Sequence, residues 1–482
     1  MKLILLFIFF PCLIFSQTQI GQDINGVGAE DQAGWGLSLS ADGTIVAVGA
    51  DLYDVNGVDS GHVRVFKNIN NVWTQIGDDI EGEAAGDNFG FSLSLSADGT
   101  IIAIGAYLKN NYTGQVRVFE NINNVWTQIG DDINGDNTDD NFAASLDLSA
   151  DGSTIVIGAY GYDESEYGQA KVFENINNVW TQKGQTLIGD GDYSIFGFTT
   201  SISSDGNIIT ISAPNSGGSN PQIGNVRIYE YLNNSWNQLG NTINATNLSD
   251  FFGRGLVLSS DGNIIAVGAT KNDDNGSNSG QVKVFENINN TWTQIGQDLN
   301  GEVVEYNFGY SLSLSSDGSI LGVGSPNTDV NGISSGQAKV YKNINNTWTQ
   351  IGNNIDGEIT DKLGGSVSLS SDGSIIAISS PWNATNGTQS GQVRIYDLSL
   401  VLSSDNFVLS QFSLYPNPAK NQVTIKLQEG LELKNVNIYN TLGQFISTSN
   451  EKVINTSHLS TGLYLLQIET NQGKATKQLV IK

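Results

Sequence analysis

The chain offers little for covalent or redox chemistry: one cysteine, one methionine and two histidines in 482 residues. Cys12 and Met1 fall within the first twelve residues, so thiol chemistry, disulfides and Cys/His zinc clusters are excluded for everything after them. His62 and His458 stand far apart, and no glycine loop with a following Lys is present to cradle a phosphate. Carboxylates are the plentiful groups, 49 Asp+Glu against 22 Lys+Arg, for a net charge of −27. That balance excludes nucleic acid and anionic membranes as partners, because both demand a cationic surface. The enzyme alternative is a secreted carbohydrate-active hydrolase using paired rim carboxylates, with Asp163, Glu164 and Glu166 the nearest to a distinctive acid cluster. Abundant acid is not a catalytic pair, and the sequence reads as a non-enzyme.

The acids gather in two kinds of loop. Glu83 and Asp87, Asp136 and Asp140, and Glu358 and Asp361 lie in variable loops. Loops on a rigid scaffold carry recognition, so these six are the expected ligand-binding residues. Their charge favours cationic or calcium-bridged partners, an extracellular protein or glycan, and repels polyanions. Asp51, Asp54, Asn56 and Asp59, in DLYDVNGVD, are the candidate metal ligands, and Asp273 and Asp274 fill the equivalent loop further on.

The elements that must position these loops are repeats. With 56 glycines, 7 prolines, 15% charged residues and 8 Trp, 16 Tyr and 19 Phe, the composition suits short strands joined by tight turns. A Ser-x-Asp-Gly turn recurs with its aspartate at Asp42, Asp98, Asp151, Asp205, Asp261, Asp317 and Asp372. An Asn-Asn-x-Trp hairpin recurs at Trp73, Trp126, Trp180, Trp236, Trp292 and Trp348. Each unit reads as four strands, in the second copy Phe89–Ser96, Thr100–Ala106, Gln115–Glu120 and Val125–Gly130. Seven such units predict an all-β fold, a seven-bladed β-propeller. The last unit lacks its Trp strand, and Thr18–Gly26 (TQIGQDING) nearly duplicates Thr293–Gly301 (TQIGQDLNG), so the first strand is expected to complete the last blade.

Cations recur too, at Arg64, Arg117, Lys171, Arg227, Lys283, Lys339 and Arg394, one on each third strand. An axial anion site is one reading. Partnership with nearby carboxylates is the favoured one, since the third strand lies off the axis. The repeated Trp reads as packing, and His62 stands where other units have Gln, again a structural position.

These residues resemble the FG-GAP repeats of the integrin α-subunit head. Units open with Trp35-Gly36, Phe89-Gly90, Phe142-Ala143, Phe196-Gly197, Phe252-Gly253, Phe308-Gly309 and Leu363-Gly364. Their second strands close with Gly-Ala-Pro variants such as Gly49-Ala50-Asp51 and Ser212-Ala213-Pro214. Calcium-binding members carry D-x-D-x-D-G in the first turn, whereas here one Asp stands in Ser-x-Asp-Gly. One carboxylate cannot furnish the six to eight oxygens that calcium takes, so no cofactor is expected, and calcium is left open only outside those turns.

The C-terminal segment differs. Residues 17–400 hold 44 Asp+Glu and 14 Lys+Arg, whereas 401–482 hold 5 and 7. Leu414-Tyr415-Pro416-Asn417-Pro418, VNIYNTLG and LSTGLYLLQI resemble the C-terminal sorting domain of type IX secretion cargo, expected here as a small β-sandwich. The resemblance implies the type IX machinery as a partner and an address outside a Gram-negative cell, secreted or on the outer-membrane surface. Lys2 followed by the apolar run to Phe15 reads as a signal peptide, too short to span a membrane. The expected boundaries are 1–16 signal, 17–397 propeller, 398–412 linker and 413–482 sorting domain, with no transmembrane segment in the mature chain. The function expected is binding or adhesion at the cell surface.

Overall fold

The computed structural model describes residues 17–161, 167–190, 195–214, 223–402, 412–427, 431–440, 444–470 and 473–482. The signal segment, the Asp163–Glu166 cluster and most of the linker lie outside the described residues; Ser399–Leu402 of the linker is a short helix. The chain divides into two compact units, one of Thr18–Asp397 and one that includes Leu398–Lys482.

The first unit is a seven-bladed propeller, each blade an antiparallel sheet whose strands pair in chain order. In the second blade Phe89–Leu95 is innermost, followed by Ile101–Ala106 and Gln115–Ile122. The outer edge is Val125–Gln128 and, beyond a break at Gly130, Ile133–Asn134. The middle strands alternate apolar residues to both faces and are almost fully buried, because each blade packs between two others. Asn pairs such as Asn123-Asn124, both at positive φ, make the outer hairpin turns, where Asn tolerates the left-handed region.

Closure is visible as a ring of backbone hydrogen bonds. The residue before each turn aspartate donates its N–H to the carbonyl of the same residue one blade on. The series runs Ala41, Ala97, Ala150, Ser204, Ser260, Ser316, Ser371 and back to Ala41, all within 2.7–3.1 Å. Around the rim each Trp indole N–H reaches the previous blade: Trp126 donates to Ile76 O at 3.0 Å and Trp236 to Lys183 O at 2.7 Å. The expected strand completion holds. Thr18–Gln19 and Ile24–Asn25 pair with Gln392–Asp397, and Trp73 donates to Ile20 O at 2.8 Å.

The repeat glycines have a common cause. A Cβ on Gly49 would lie 2.0 Å from Gly90 O, and one on Gly268 would lie 2.1 Å from Gly309 O. Adjacent blades therefore meet backbone to backbone between the second strand of one and the Phe-Gly of the next. This geometry corrects the first blade. Its Phe-Gly equivalent is Ala33-Gly34, not Trp35-Gly36: Ala33 bridges Gly391 as Phe308 bridges Gly280, and Gly34 has φ 113° beside 89° for Gly309. The aromatic Trp35 drew the alignment two residues off, because a buried Ala filling a Phe position is invisible to pattern matching.

In the second unit, Phe412–Tyr415, Gln422–Leu427 and Val453–Asn455 form one sheet. Phe445–Ser449, Leu433–Asn440, Gly462–Thr470 and Gly473–Ile481 form another. They share a core that includes Phe412, Val423, Ile425, Val436, Ile438, Ile454, Leu466, Ile468 and Leu479. The sandwich thus gains two strands, Phe445–Ser449 and Val453–Asn455, whose polar alternation hid them.

Deleting Thr18–Gly26 removes the outer edge of the last blade, the acceptor of Trp73 and the Asn25 carbonyl that receives Arg64 at 2.6 Å. We expect the melting temperature to fall by roughly 5–15 °C and aggregation through the bared edge to rise. Calorimetry showing no change would contradict the closure.

Candidate functional site

The six expected ligand-binding carboxylates belong mostly to the scaffold. Asp87 accepts from Ala84 N at 3.1 Å, Asp140 from Asn137 N at 3.0 Å and Asp361 from Glu358 N at 3.1 Å. Each closes a turn three residues back and is buried, as Asp31 does with Gly28 N. Glu83 takes Lys109 Nζ at 2.6 Å, which holds its carboxyl below the ordinary range, and Asp87 takes the same ammonium at 3.0 Å. Asp136 is bonded to Lys171. Glu83, Asp136 and Glu358 keep exposed carboxylates, the first two held by lysines, while Asp87, Asp140 and Asp361 are buried, so the six are not alike free loop charges.

The cation on the third strand is, in all blades but that of Lys283, a joint between blades. Arg117 donates to Glu81 O of the preceding blade at 2.6 Å and lies 4.3 Å over the Phe89 ring. Arg227 reaches Asp190 at 2.5 Å and Lys339 reaches Glu302 at 2.6 Å, again one blade back. Arg394 stands 3.9 Å from Asp361, while Lys283 stays within its blade at 3.6 Å from Asp298. Structural pairing is therefore the role these side chains have, and they form no anion site.

The candidate metal loop does not converge. Asn56 donates Nδ2 to Gly82 O at 2.8 Å, and Asn275, Asn331 and Asn386 make the same bond to Gly301, Gly357 and Gly26. Asp54 accepts Asp59 N at 2.9 Å, as Asp273 accepts Asn278 N and Asp329 accepts Ser334 N, each at 2.7 Å. The recurring N-G-x-x-S-G is thus a self-closed loop, and its recurrence was readable in the sequence. Asp51 is 4% exposed and faces Asn88, away from the others, with Oδ1 lacking any hydrogen-bond partner. Burial pushes its pKa up to about 7. In the Ser-x-Asp-Gly turns the single carboxylate is already engaged in the turn: Asp98 Oδ1 accepts Ser96 Oγ, Thr100 N and Thr100 Oγ1 at 2.7–3.0 Å. Burial raises Asp98, but those bonds outweigh it and hold it below the usual range. Calcium does not fit these turns. Among the described residues no group of three or more His, Cys, Asp or Glu is placed to hold a metal.

His62 keeps the role of the glutamines it replaces. It faces Asp79 at 3.1 Å and stacks on Tyr53 at 4.1 Å, fully buried, as Gln115 faces Asp132 at 2.9 Å.

What the sequence did not single out is the axis. The residue after each Phe-Gly equivalent is Trp35, Phe91, Ala144, Phe198, Arg254, Tyr310 and Gly365. These seven line one cavity of about 300 Å³. Trp35 and Tyr310 have ring centroids 6.2 Å apart, and Arg254 Cζ lies 4.0 Å over Tyr310 and 5.3 Å from Phe198. Phe198 in turn meets Tyr160 at 5.2 Å and Phe251 at 5.7 Å. Just below, Ser92, Thr199, Ser311 and Ser366 spend their hydroxyls on carbonyls of the following blade. The residue before each Phe-Gly equivalent is left-handed in every blade, φ 45–57°, yet in four it is Gln32, Ile195, Phe251 and Lys362 rather than Asn. Backbone strain at such residues concentrates at functional sites. The one signal available beforehand was that this column varies while its neighbours repeat.

Three cations lie against aromatic rings in or next to this group. Among the described residues, Arg254, Lys271 and Lys362 have no carboxylate within 4.0 Å, and each lies against an aromatic ring. Lys271 Nζ is 5.0 Å from Phe251, and Lys362 Nζ is 3.5 Å from Trp382, where burial holds the amine below its usual value.

Residues 413–482 match the family model of the secretion system C-terminal sorting domain, and residues 245–285 match that of the FG-GAP repeat. No match is found among curated proteins. Among solved structures, a candidate 6-phosphogluconolactonase of Bacteroides uniformis is similar over 67% of this chain and 85% of its own, at 13% identity and TM-score 0.48. One from Bacteroides fragilis covers 67% and 84% at 16% identity and TM-score 0.46. The Dos1 propeller covers 80% and 97% at 13% identity and TM-score 0.45. Nothing about activity or ligand is carried over from likenesses of this size.

Asp51 yields a test with a defined sign. Its folded pKa lies above the free value, so raising pH from about 4 to 7 ionises a buried, half-unpartnered carboxylate and removes stability. Asp51→Asn is expected to stabilise the protein by about 1–2 kcal/mol at pH 8 and by little at pH 4. Denaturant unfolding at both pH values checks this; an equal effect at each would contradict it.

Proposed function

With an exported FG-GAP propeller as the premise, we propose that this protein is a non-catalytic binding module. It acts as an adhesin or receptor outside the cell and holds its ligand at the axial mouth. The sorting domain places the chain outside a Gram-negative cell, secreted or on the outer-membrane surface, and among the described residues no helix is long and apolar enough to cross a membrane. One observation carries the reading. The column Trp35, Phe91, Ala144, Phe198, Arg254, Tyr310 and Gly365 varies widely in size and chemistry between otherwise similar strands, and it converges on one cavity. Ligand sites are concave, mostly apolar and few per protein, with a small number of placed polar groups.

The rim carboxylates support the scaffold, so the ligand site moves inward from them while keeping to the same face. For the hydrolase alternative, none of the described residues lining the mouth is Asp or Glu, whereas glycoside hydrolysis takes two carboxyl groups flanking the bond. The N-terminal signal and the type IX machinery together supply the route of export.

A screen of the full chain against extracellular glycans and proteins tests the binding role. Trp35→Ala combined with Phe198→Ala should weaken any hit at least about tenfold, while Glu358→Gln changes it little. Binding untouched by the mouth variant, or turnover of a polysaccharide lost on one carboxylate substitution, would overturn the reading. Removal of residues 413–482 should leave a folded propeller held in the periplasm, checked by cell fractionation. Normal surface appearance of the truncated protein would contradict the export route.

A further inference from the structure

Of the 14 cations in residues 17–400, most are paired with carboxylates within or between blades, yet among the described residues Arg254, Lys271 and Lys362 have none within 4.0 Å. Among the described residues Arg254 meets no carboxylate within 4.0 Å, although residues 17–400 carry 44. Its guanidinium instead lies over Tyr310 with Phe198 near, contacts that use the face of the group and none of its N–H donors. Lys271 joins the same group through Phe251, which meets Phe198 at 5.7 Å. Lys362, three residues before Gly365, lies on Trp382. Ala144 and Gly365 break the aromatic ring and leave gaps at two of its seven positions.

We infer that the axial mouth binds an acidic polysaccharide, one pyranose ring lying against Trp35, Phe198 or Tyr310 while its carboxylate or sulfate meets the donor edge of Arg254. This deepens the binding-module reading and rests on it. Arg presents a planar fork that matches an oxyanion through two parallel hydrogen bonds. Flat aromatic faces suit the apolar C–H face of a pyranose, and a cavity of about 300 Å³ is the size of one or two such rings. An extended acidic peptide fits less well, since it needs backbone partners along a groove. Here Ser92, Thr199, Ser311 and Ser366 are already spent on neighbouring carbonyls. Lys271 and Lys362 stand where charges on the next sugars would pass, so the site favours a polymer over a monosaccharide.

Titration calorimetry on the full secreted chain tests this with polygalacturonate, dextran sulfate, neutral dextran and oligoglutamate. One of the two acidic polysaccharides should bind, and which of them does decides between carboxylate and sulfate. Arg254→Met should weaken that binding at least tenfold, and adding Lys271→Met and Lys362→Met should abolish it. Lys67→Met removes the same charge from an exposed third-strand position and should leave it unchanged; folding of every variant is checked by its melting temperature. Equal binding of neutral dextran, preference for oligoglutamate, binding by neither acidic polysaccharide, or binding that survives the triple variant overturns the inference. A ligand lost on Trp35→Ala but indifferent to Arg254→Met would leave the binding module standing and remove its acidic specificity. Absence of any ligand sensitive to Trp35→Ala would remove both.

Discussion

Seven backbone hydrogen bonds that run from Ala41 through Ser371 and back to Ala41 are the constraint on which the propeller rests. Each is an ordinary bond worth about 1 kcal/mol net. Their force lies in being cyclic: no member can shift register without breaking two neighbours. That requirement makes the Ser-x-Asp-Gly turn the most uniform feature of the chain, since the turn holds the donor and acceptor of each link in place. Unit length is free to vary because the differences are taken up by loops on the opposite face. A second set of inter-blade bonds runs beside the first, as Ser38 Oγ receives Leu95 N at 3.1 Å and Ser94 Oγ receives Leu148 N at 3.2 Å. In the next blade Asp147 takes the place of serine, and four donors, from Leu148, Ile202, Ser94 and Ser201, surround it.

Blades drawn together at the axis must also fit at mid-height and at the rim. At mid-height the fit is glycine against glycine, Gly49 on Gly90, which is the physical content of the repeat's two signature motifs. At the rim a glycine kink receives the next blade's indole: a Cβ on Gly77 would sit 2.6 Å from Trp126 Cδ1. Between these lie the cations. A buried Arg or Lys is tolerable only with a partner. The loops between blades supply that partner from one blade back, so much of the acidity of the first unit serves its joints rather than an outward field.

Once those demands are met, one column of the inner strand is left to vary where it lines the axial cavity. Its side chains face the axis, where seven blades leave a gap no backbone fills. Variation accumulates there, and so do strained residues such as Ile195 at φ 45° and Phe251 at φ 57°. Such residues persist where the surrounding structure over-determines them. The geometry of this end of the axis thus depends on rigidity everywhere else.

The sequence by itself determined the fold class, the number of blades, the strand that closes the ring and the export address. All four are written in periodicity and near-identical segments, which need no knowledge of distance. It also made the pairing of Arg117 or Lys339 legible, because a cation repeated on every third strand must meet a repeated environment. Only the tertiary structure decided which carboxylates are free. Asp87 and Asp140 look like loop charges along the chain, yet each is folded under its own turn, a matter of three-residue geometry rather than of composition. Likewise Trp35, Phe198, Arg254 and Tyr310 lie in four different units and look like ordinary alternation within each strand. They line one cavity because ring closure brings residues more than 270 positions apart to a common axis, and a pattern read along one chain cannot measure that convergence.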